Sequence, residues 1–167
     1  GHEVWGVEVT PEPAKAAAQE LTRVFVGTIE DFIPPHPDEQ FDAITFGDVL
    51  EHLVEPGEVL ELCSGILNAD GIIVASIPNV THLGVRAMLM EGRWDYADLG
   101  LMDRTHLRFF SKKTVVELFH NAGYFVEGVQ AVKLPVPIVN DICNLQLKPS
   151  SIKRIASRIE APYGEDF

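Results

Sequence analysis

The stretch Phe41–Leu53, FDAITFGDVLEHL, constrains the fold of this chain more than any other segment. Its first half is a short apolar run that ends at Gly47-Asp48 and passes directly into the start of a helix. Further along, Ile72–Ile77 is a continuous apolar run, which is typical of a strand covered on both faces of a sheet. A buried strand that ends in glycine and a carboxylate lies where α/β folds bind their ligands. We therefore expect a ligand site at this end of the Phe41–Gly47 strand.

Strand-like and helix-like segments alternate through the first half of the chain. The predicted strands are Glu3–Val9, Arg23–Gly27, Phe41–Gly47 and Ile72–Ile77. The predicted helices are Pro11–Leu21, with Thr10 as its cap, and Pro56–Leu67, while Ile33–Gln40 is a proline-rich loop and Asn68–Gly71 a turn. This order predicts an α/β fold with a doubly wound, mostly parallel sheet of the Rossmann-like type.

The second half has a looser pattern. Helices are predicted at Leu83–Met90 and from Ser111 to Ala122, where Gly123 ends the helix and Val115, Val116 and Phe119 point inward. The remaining predictions are an irregular Glu91–His106, a strand at Tyr124–Val132, an irregular Pro135–Pro149 and a short amphipathic helix marked by Ile152, Ile155, Ala156 and Ile159. We expect one domain over residues 1–167, with 91–110 as an insertion on the substrate side and 133–167 as a C-terminal extension.

Composition narrows the class of protein. The chain has 167 residues, 46% of them hydrophobic, and a net charge of −12, which is typical of a globular domain and unfavourable for a nucleic-acid partner. Cys63 and Cys143 lack metal-ligand spacing, so Cys63 is predicted to be a buried reduced thiol, and no metal site is expected. Since neither a membrane-spanning run nor a signal-peptide pattern is present, we expect no membrane partner and a cytoplasmic location.

Glu8 and Gly47 are candidate ligand-binding residues because of their residue types and their places at strand ends. Glu8 ends the first strand before an Ala-rich helix, where a carboxylate accepts hydrogen bonds from ribose hydroxyls, although a solvated Glu is the common alternative. Gly47 would let the backbone approach a ligand that a Cβ would obstruct. The simpler interpretation makes Asp48 a helix N-cap and His52 a polar residue on a helix surface.

Several motifs together resemble class I methyltransferases that depend on S-adenosyl-L-methionine (SAM). The sequence GDVLEH matches the family's D-x-L-E-H step, and it is followed by GIIVASIPNV, EGRWDY and GLMDRTHLRFFS. The last two resemble the Gly-Trp-x-Tyr and Asp-x-Thr-His-x-Arg-Phe-Phe motifs of one broad group within that family. The resemblance covers roughly Glu3–Val132, and it implies transfer of a methyl group from SAM to a small-molecule acceptor, with S-adenosyl-L-homocysteine as product.

The resemblance also implies site residues. The cofactor would be bound by Glu8, Val9, Thr28, Ile29, Glu30, Gly47, Asp48, Val49 and His52. Thr28 stands where the family often has Asp, which leaves the adenine contact to Ile29 and Glu30. Candidates for catalysis are His106, His82 and Asp103, with Asn79, Trp94 and Tyr96 binding the acceptor. His106 ranks first as a base or substrate ligand, because imidazole titrates near neutral pH, and a structural histidine is the alternative.

One departure from the family is large: the Gly-rich loop after a first strand does not occur, and the chain resembles the family from its second strand onward. We expect a fragment of a longer enzyme, or a sheet whose open edges are covered by rearranged pairing or by a second copy in a homodimer. A non-catalytic, methyltransferase-like binding or assembly module is the main alternative function. An NAD-dependent enzyme is a third, since Glu8 would suit its ribose, but the glycine fingerprint of such enzymes is missing.

Overall fold

Four strands and five α-helices follow one another along the part of the chain that the computed structural model describes, residues 1–33, 36, 38–132 and 145–150. The strands are β1 (Trp5–Glu8), β2 (Arg23–Val26), β3 (Phe41–Gly47) and β4 (Leu67–Ser76). The helices are α1 (Pro11–Ala17), α2 (Ile29–Phe32), α3 (Pro56–Cys63), α4 (Leu83–Met90) and α5 (Lys112–Asn121). The described residues form two compact units, one within residues 1–45 and 57–74 and the other within 46–56 and from 75 onward.

In the first unit, β1 and β2 run parallel with Trp5 opposite Arg23 and Glu8 opposite Val26. A parallel pair requires a crossover, and α1 provides it, with Ala14 buried. The helix ends at Ala17 rather than at the predicted Leu21, because the chain must turn back to begin β2. The predicted parallel α/β class is confirmed.

The pairing of β3 with β4 corrects one sequence prediction. The Phe41 N–H donates to the Ile66 carbonyl at 2.8 Å, and Asn68 donates through its side chain to Asp42 at 2.7 Å. The later residue of one strand thus contacts the later residue of the other, Phe41 with Ile66 and then Asp42 with Asn68. The two strands therefore run parallel at this end. Asn68–Gly71, predicted as a turn, therefore belongs to β4. For the same reason α3 stops at Cys63 and not at Leu67.

Each of the two sheets has two strands among the described residues, β1 with β2 and β3 with β4. Rearranged pairing within the described part of the chain is therefore not found at their other edges. Coverage of those edges by a second copy stays a prediction. Cys63 is buried, as predicted, and burial raises the pKa of its thiol to about 11.

The second unit is organised around α4. Its buried apolar side chains pack together with two residues of the 145–148 segment; the cluster is Val85, Ala87, Met88, Met102, Leu145 and Leu147. The α5 helix begins as predicted, because Ser111 and Thr114 form a reciprocal capping box, and ends before Gly123, whose φ is +88°. Phe119 is buried, whereas Val115 and Val116 are half-buried.

One further prediction for the described residues is wrong, and one short helix was missed. Tyr124–Val132 is not a strand: side chains there, such as Phe125 and Val132, are 85% and 84% exposed. The short α2 was not predicted, although Thr28 and Asp31 form its capping box. Predictions for Cys143, the Ile152–Ile159 helix and most of Pro135–Pro149 lie outside the described residues. Among the described helices, none has the length and apolar character needed to cross a membrane.

Candidate functional site

The chain leaves the carboxyl end of β3 with an unusual backbone conformation. Asp48 has a φ of +52°, a left-handed conformation that costs a non-glycine residue about 1 kcal/mol. Two contacts with Ser76 hold it: the Asp48 N–H donates to the Ser76 carbonyl at 3.0 Å, and the Ser76 hydroxyl donates to Asp48 Oδ1 at 2.9 Å. At Gly47, an added Cβ would meet no described atom within 4 Å. The backbone here therefore borders open space.

The next residues form a 3-10 helix, Leu50–His52, which has Val49 at its N-cap position. Asp48 is thus not an N-cap, contrary to the simpler interpretation of the sequence. The tight turn directs Glu51 inward, where it is 1% exposed. Its carbonyl accepts hydrogen bonds from the N–H groups of Leu107 and Arg108, at 2.8 and 3.0 Å. These bonds fix the segment that carries His106 against the 3-10 helix.

His106 lies beside the Glu51 carboxylate. It is 8% exposed, and its Nε2 is 3.9 Å from Glu51 Oε1. The His52 ring packs edge-on against it, with 4.8 Å between ring centroids. Burial lowers the pKa of His106, and the nearby His52 lowers it further. Burial also raises the pKa of Glu51, so both groups favour their neutral forms.

The loop that carries His106 also holds the His52 side chain in place. Its Nδ1 is 3.2 Å from the Thr105 carbonyl and 3.3 Å from the Thr105 hydroxyl. Thr105 in turn donates to Asp103 Oδ1 through its hydroxyl at 2.6 Å and its N–H at 2.8 Å. These two hydrogen bonds lower the pKa of Asp103. This geometry makes Asp103 a group that positions Thr105 and, through it, His52.

Two other predicted residues are engaged in local structure. His82 is the N-cap residue of α4, and its Nδ1 accepts from the Gly84 N–H at 3.1 Å. The side-chain carbonyl of Asn79 accepts from the N–H and hydroxyl of Thr81, at 2.9 and 2.7 Å. Both side chains therefore shape the turn that leads from β4 into α4.

Of the two predicted aromatic residues, Trp94 lines a cleft in the second unit, and Tyr96 packs against Phe109 of the same cleft. Phe109 stands between them: its ring centroid is 5.3 Å from that of Trp94, 6.4 Å from Tyr96 and 6.0 Å from His106. The cleft has a volume of about 510 Å³, and it is lined by Val80, Thr81, Arg86, Leu89, Trp94 and Phe109. Its surface is largely apolar, and its Phe109 wall touches the buried histidine.

The remaining predicted residues lie in the first unit. Glu8 Oε1 accepts from the Thr10 hydroxyl at 2.7 Å and the Thr10 N–H at 3.0 Å, and these bonds lower the pKa of Glu8. Val9 is 62% exposed. Thr28 caps α2, since its hydroxyl accepts from the Asp31 N–H, and Ile29 and Glu30 follow in the first turn. The predicted cofactor residues therefore divide between the two compact units.

Glu51 is the residue that the sequence analysis missed. Neither of its carboxylate oxygens has a hydrogen-bond partner among the described residues. A carboxylate next to His52 in a helical turn looks solvated in the sequence. Its burial depends on the segment around His106, which comes from a distant part of the chain. The residues next to Glu51 in the sequence therefore do not predict this burial.

Parallel strands joined by crossover helices define a Rossmann-like α/β fold, a class whose members bind ligands at the carboxyl ends of their strands. A sequence profile described as a methyltransferase domain matches residues 1–128. Because the match covers well over half of the chain, the chain belongs to this family of methyltransferase domains.

Curated relatives point in the same direction. The chain is 31% identical over 90 residues to the ubiquinone biosynthesis O-methyltransferase of Actinobacillus pleuropneumoniae serotype 5b, covering 48% of this chain and 38% of that protein. It is 24% identical over 137 residues to the enzyme of the same name from Shewanella pealeana, covering 79% of this chain and 58% of that protein. The chain thus spans less than two thirds of the length of these relatives.

Solved structures support the fold. A SAM-dependent methyltransferase from Archaeoglobus fulgidus matches with a TM-score of 0.57 at 16% identity, over 90% of this chain and 68% of that one. The YcgJ protein from Bacillus subtilis matches with a TM-score of 0.59 at 21% identity, over 98% of this chain and 70% of that one. At these identities the likeness establishes a shared fold.

Proposed function

We propose that this chain belongs to a SAM-dependent methyltransferase that transfers a methyl group to a small-molecule acceptor. The observation that carries the proposal is the exit from β3, where Gly47 borders open space and Asp48 is held in a left-handed conformation. Nothing in the described protein occupies the place of a side chain at Gly47, so a ligand can approach the backbone there. The match to methyltransferase domains supports SAM as that ligand.

Methyl transfer depends more on the alignment of the methyl donor with the acceptor than on acid–base catalysis. Bound SAM would supply an activated methyl group on its sulfonium, and the protein aligns the acceptor with it and excludes water. We assign Gly47, Asp48, Val49 and His52 to the cofactor side. In the first unit, Glu8 lies at the carboxyl end of β1, where a carboxylate suits a ribose hydroxyl. Val9, Thr28, Ile29 and Glu30 are kept as cofactor candidates.

On the acceptor side, the apolar cleft favours a small molecule with an apolar or aromatic body. Trp94 and Phe109 line it, and Tyr96 packs against Phe109. The relatives' names favour a hydroxyl as the methyl-accepting group. His106 is the group that we assign to that hydroxyl, since it contacts Phe109 at the cleft wall. His82, Asp103 and Asn79 support it by shaping the surrounding turns.

The proposal includes the cellular location of the enzyme and its oligomeric state. We place it in the cytoplasm, in line with the curated relatives, which are named for a biosynthetic step in bacteria. A homodimer in which a second copy pairs with the sheet edges is part of the proposal, and light scattering on the purified chain measures it. A molar mass equal to that of one chain would contradict this part.

Calorimetric titration with S-adenosylhomocysteine tests the cofactor site. Gly47→Ala adds a Cβ to the open space, and we expect it to weaken binding by about tenfold or more, equivalent to about 1.4 kcal/mol. Gly128→Ala is the matched control, since a Cβ there also meets no described atom within 4 Å. If both variants bind as the unaltered chain does, Gly47 does not border the cofactor.

Transfer of tritiated methyl from SAM to a panel of small phenols tests the activity. We expect labelled product that disappears in His106→Gln and persists in His120→Gln, because His120 is exposed on α5. Binding of S-adenosylhomocysteine without transfer to any acceptor would favour the alternative, a non-catalytic binding module or an inactive fragment.

A further inference from the structure

A second cavity adjoins the apolar acceptor cleft, and Thr81 lines both. This second cavity has a volume of about 580 Å³, and its lining residues are Thr81, Ser111, Lys112, Lys113, Val116 and Glu117. The backbone explains why the two adjoin. The Val80 N–H donates to the Phe110 carbonyl at 2.8 Å, and Asn79 forms a parallel bridge with Phe110. The turn before α4 therefore runs beside the segment that begins α5, and the two cavities form one groove.

This groove is positively charged, although the chain as a whole is acidic. The sequence has 13 Lys and Arg against 25 Asp and Glu. The groove reverses that ratio, because its charged lining residues are Arg86, Lys112, Lys113 and Glu117. Lys113 Nζ lies 3.5 Å from Glu117 Oε1, but the two side chains are 81% and 53% exposed, so their attraction is weak. Cations that gather in one groove of an acidic protein attract an anionic ligand.

Arg86 places one of these cations on the wall of the apolar cleft. Arg86 and Leu89 are three residues apart on α4, so they share a face of the helix, and both line the cleft. The neighbouring Val85 and Ala87 are buried, whereas Arg86 is exposed. A ligand that fills the cleft removes water from the Arg86 side chain, and this loss is unfavourable unless the ligand supplies an opposite charge. The cleft therefore favours an anionic acceptor over a neutral one.

We propose that the methyl acceptor carries a phosphate group on its apolar or aromatic body, and that the cations of the groove bind this phosphate. The body lies against Trp94 and Phe109, and the phosphate is bound by Arg86, Lys112 and Lys113. This inference rests on the proposed methyl transfer, since it treats the cleft as the acceptor site. A phosphate ester carries a charge of about −1.5 to −2 at neutral pH, which matches several cations better than a single carboxylate charge does. Arginine forms paired hydrogen bonds with phosphate oxygens, and lysine binds phosphate as a point charge.

Titration with phenyl phosphate, in the absence of SAM, tests the phosphate site. Tryptophan fluorescence measures binding, because Trp94 lines the cleft, and Trp94→Phe, which retains only Trp5, gives the background signal. We expect phenyl phosphate to bind about tenfold more tightly than phenol or inorganic phosphate, and more tightly than benzoate. The preference over phenol should decrease at high salt, since exposed charges are screened. Equal binding of phenyl phosphate and phenol would overturn the proposal, and equal binding of benzoate would overturn the choice of phosphate.

Charge variants assign the phosphate-binding residues. Arg86, Lys112 and Lys113 are exposed, so glutamine at each position should leave the fold intact. Arg86→Gln should weaken phenyl phosphate binding by about tenfold, and each lysine variant by about two- to fivefold, with phenol binding unchanged. Lys15→Gln is the matched control, since it removes a positive charge from α1 in the first unit. Equal losses in Lys15→Gln and Arg86→Gln would show an effect of net charge alone and would overturn the site.

Methyl transfer from SAM to hydroquinone monophosphate separates this inference from the proposed function. We expect Arg86→Gln to raise KM for this acceptor by about tenfold and to keep kcat within about twofold, because the phosphate is bound away from the reacting hydroxyl. Equal kcat/KM for hydroquinone and its monophosphate would keep the methyl transfer and overturn the phosphate site. A chain that binds phenyl phosphate but transfers no methyl group would keep the phosphate site and contradict the proposed reaction.

Discussion

Met102→Ala tests whether the loop that carries His106 is anchored by the core of the second unit. The Met102 side chain is 0% exposed and packs in the cluster with Val85, Met88 and Leu145. Its carbonyl accepts from the Ala97 N–H at 2.8 Å, so the side chain anchors a closed loop. Removing three side-chain heavy atoms loses their transfer free energy and leaves a cavity.

The expected loss follows from that complete burial. Substitutions of this kind cost about 2–5 kcal/mol, and we expect about 3 kcal/mol, since the site lies next to the chain segment 145–148, which can partly collapse into the cavity. Against a typical free energy of unfolding of about 5–15 kcal/mol, this is a large fraction. Urea denaturation followed by circular dichroism measures it.

Met90→Ala is the matched control for this experiment. Met90 ends α4 and is 44% exposed, so its replacement should change the free energy of unfolding by less than about 0.5 kcal/mol. Met102→Leu, which nearly conserves volume, should lose less than about 1.5 kcal/mol. Equal losses in Met102→Ala and Met90→Ala would refute the packing argument, because burial then would not distinguish the two sites.

Three further predictions concern local structure. Ser111→Ala removes the α5 cap and should cost about 1 kcal/mol in urea denaturation, and no change would mean that the capping box contributes nothing. Thr10→Val removes the hydroxyl hydrogen bond that does most to lower the pKa of Glu8, and it keeps the bond from the Thr10 N–H. The stability that the hydroxyl bond provides is present above the unfolded pKa near 4.5 and is lost as pH falls through the folded value. In pH-dependent unfolding, the variant should therefore lose less stability on the acid side than the wild type does, and an equal loss would contradict this role of Thr10. In a Cys143→Ser background, Cys63, with a pKa of about 11, should react with iodoacetamide at pH 8 only on unfolding, and rapid labelling of the folded chain would contradict its burial.

Local signals explain which elements could be predicted from the sequence. The β3 strand and α4 were predicted with the bounds that the structure has, since apolar runs and helical periodicity are local properties. Ser111 and Gly123 likewise mark the ends of α5 by backbone chemistry. In contrast, Asn68–Gly71 has a turn-like composition, and pairing with β3 overrides it. Strand structure that depends on pairing with a distant segment cannot be predicted from a few neighbouring residues.

The candidate site shows the same division. Gly47 and Asp48 could be predicted as site residues because glycine and a carboxylate at a strand end are recognisable in one segment. His106 could be predicted through its motif. Its proximity to Glu51 could not, because two backbone hydrogen bonds to the Glu51 carbonyl create it. Side-chain proximity across distant segments follows from tertiary structure alone.

The six residues Gly47–His52 combine two locally unfavourable features, which argues for two separate tasks. At one end, Asp48 adopts a left-handed backbone that Ser76 stabilises. At the other end, Glu51 carries a buried carboxylate without partners among the described residues. Strain and unsatisfied groups persist where function requires them. The two ends use different atoms, the backbone at Gly47 and the side chain at Glu51. In calorimetric titration, Gly47→Ala should therefore weaken the binding of S-adenosylhomocysteine, whereas Glu51→Gln should leave that binding unchanged.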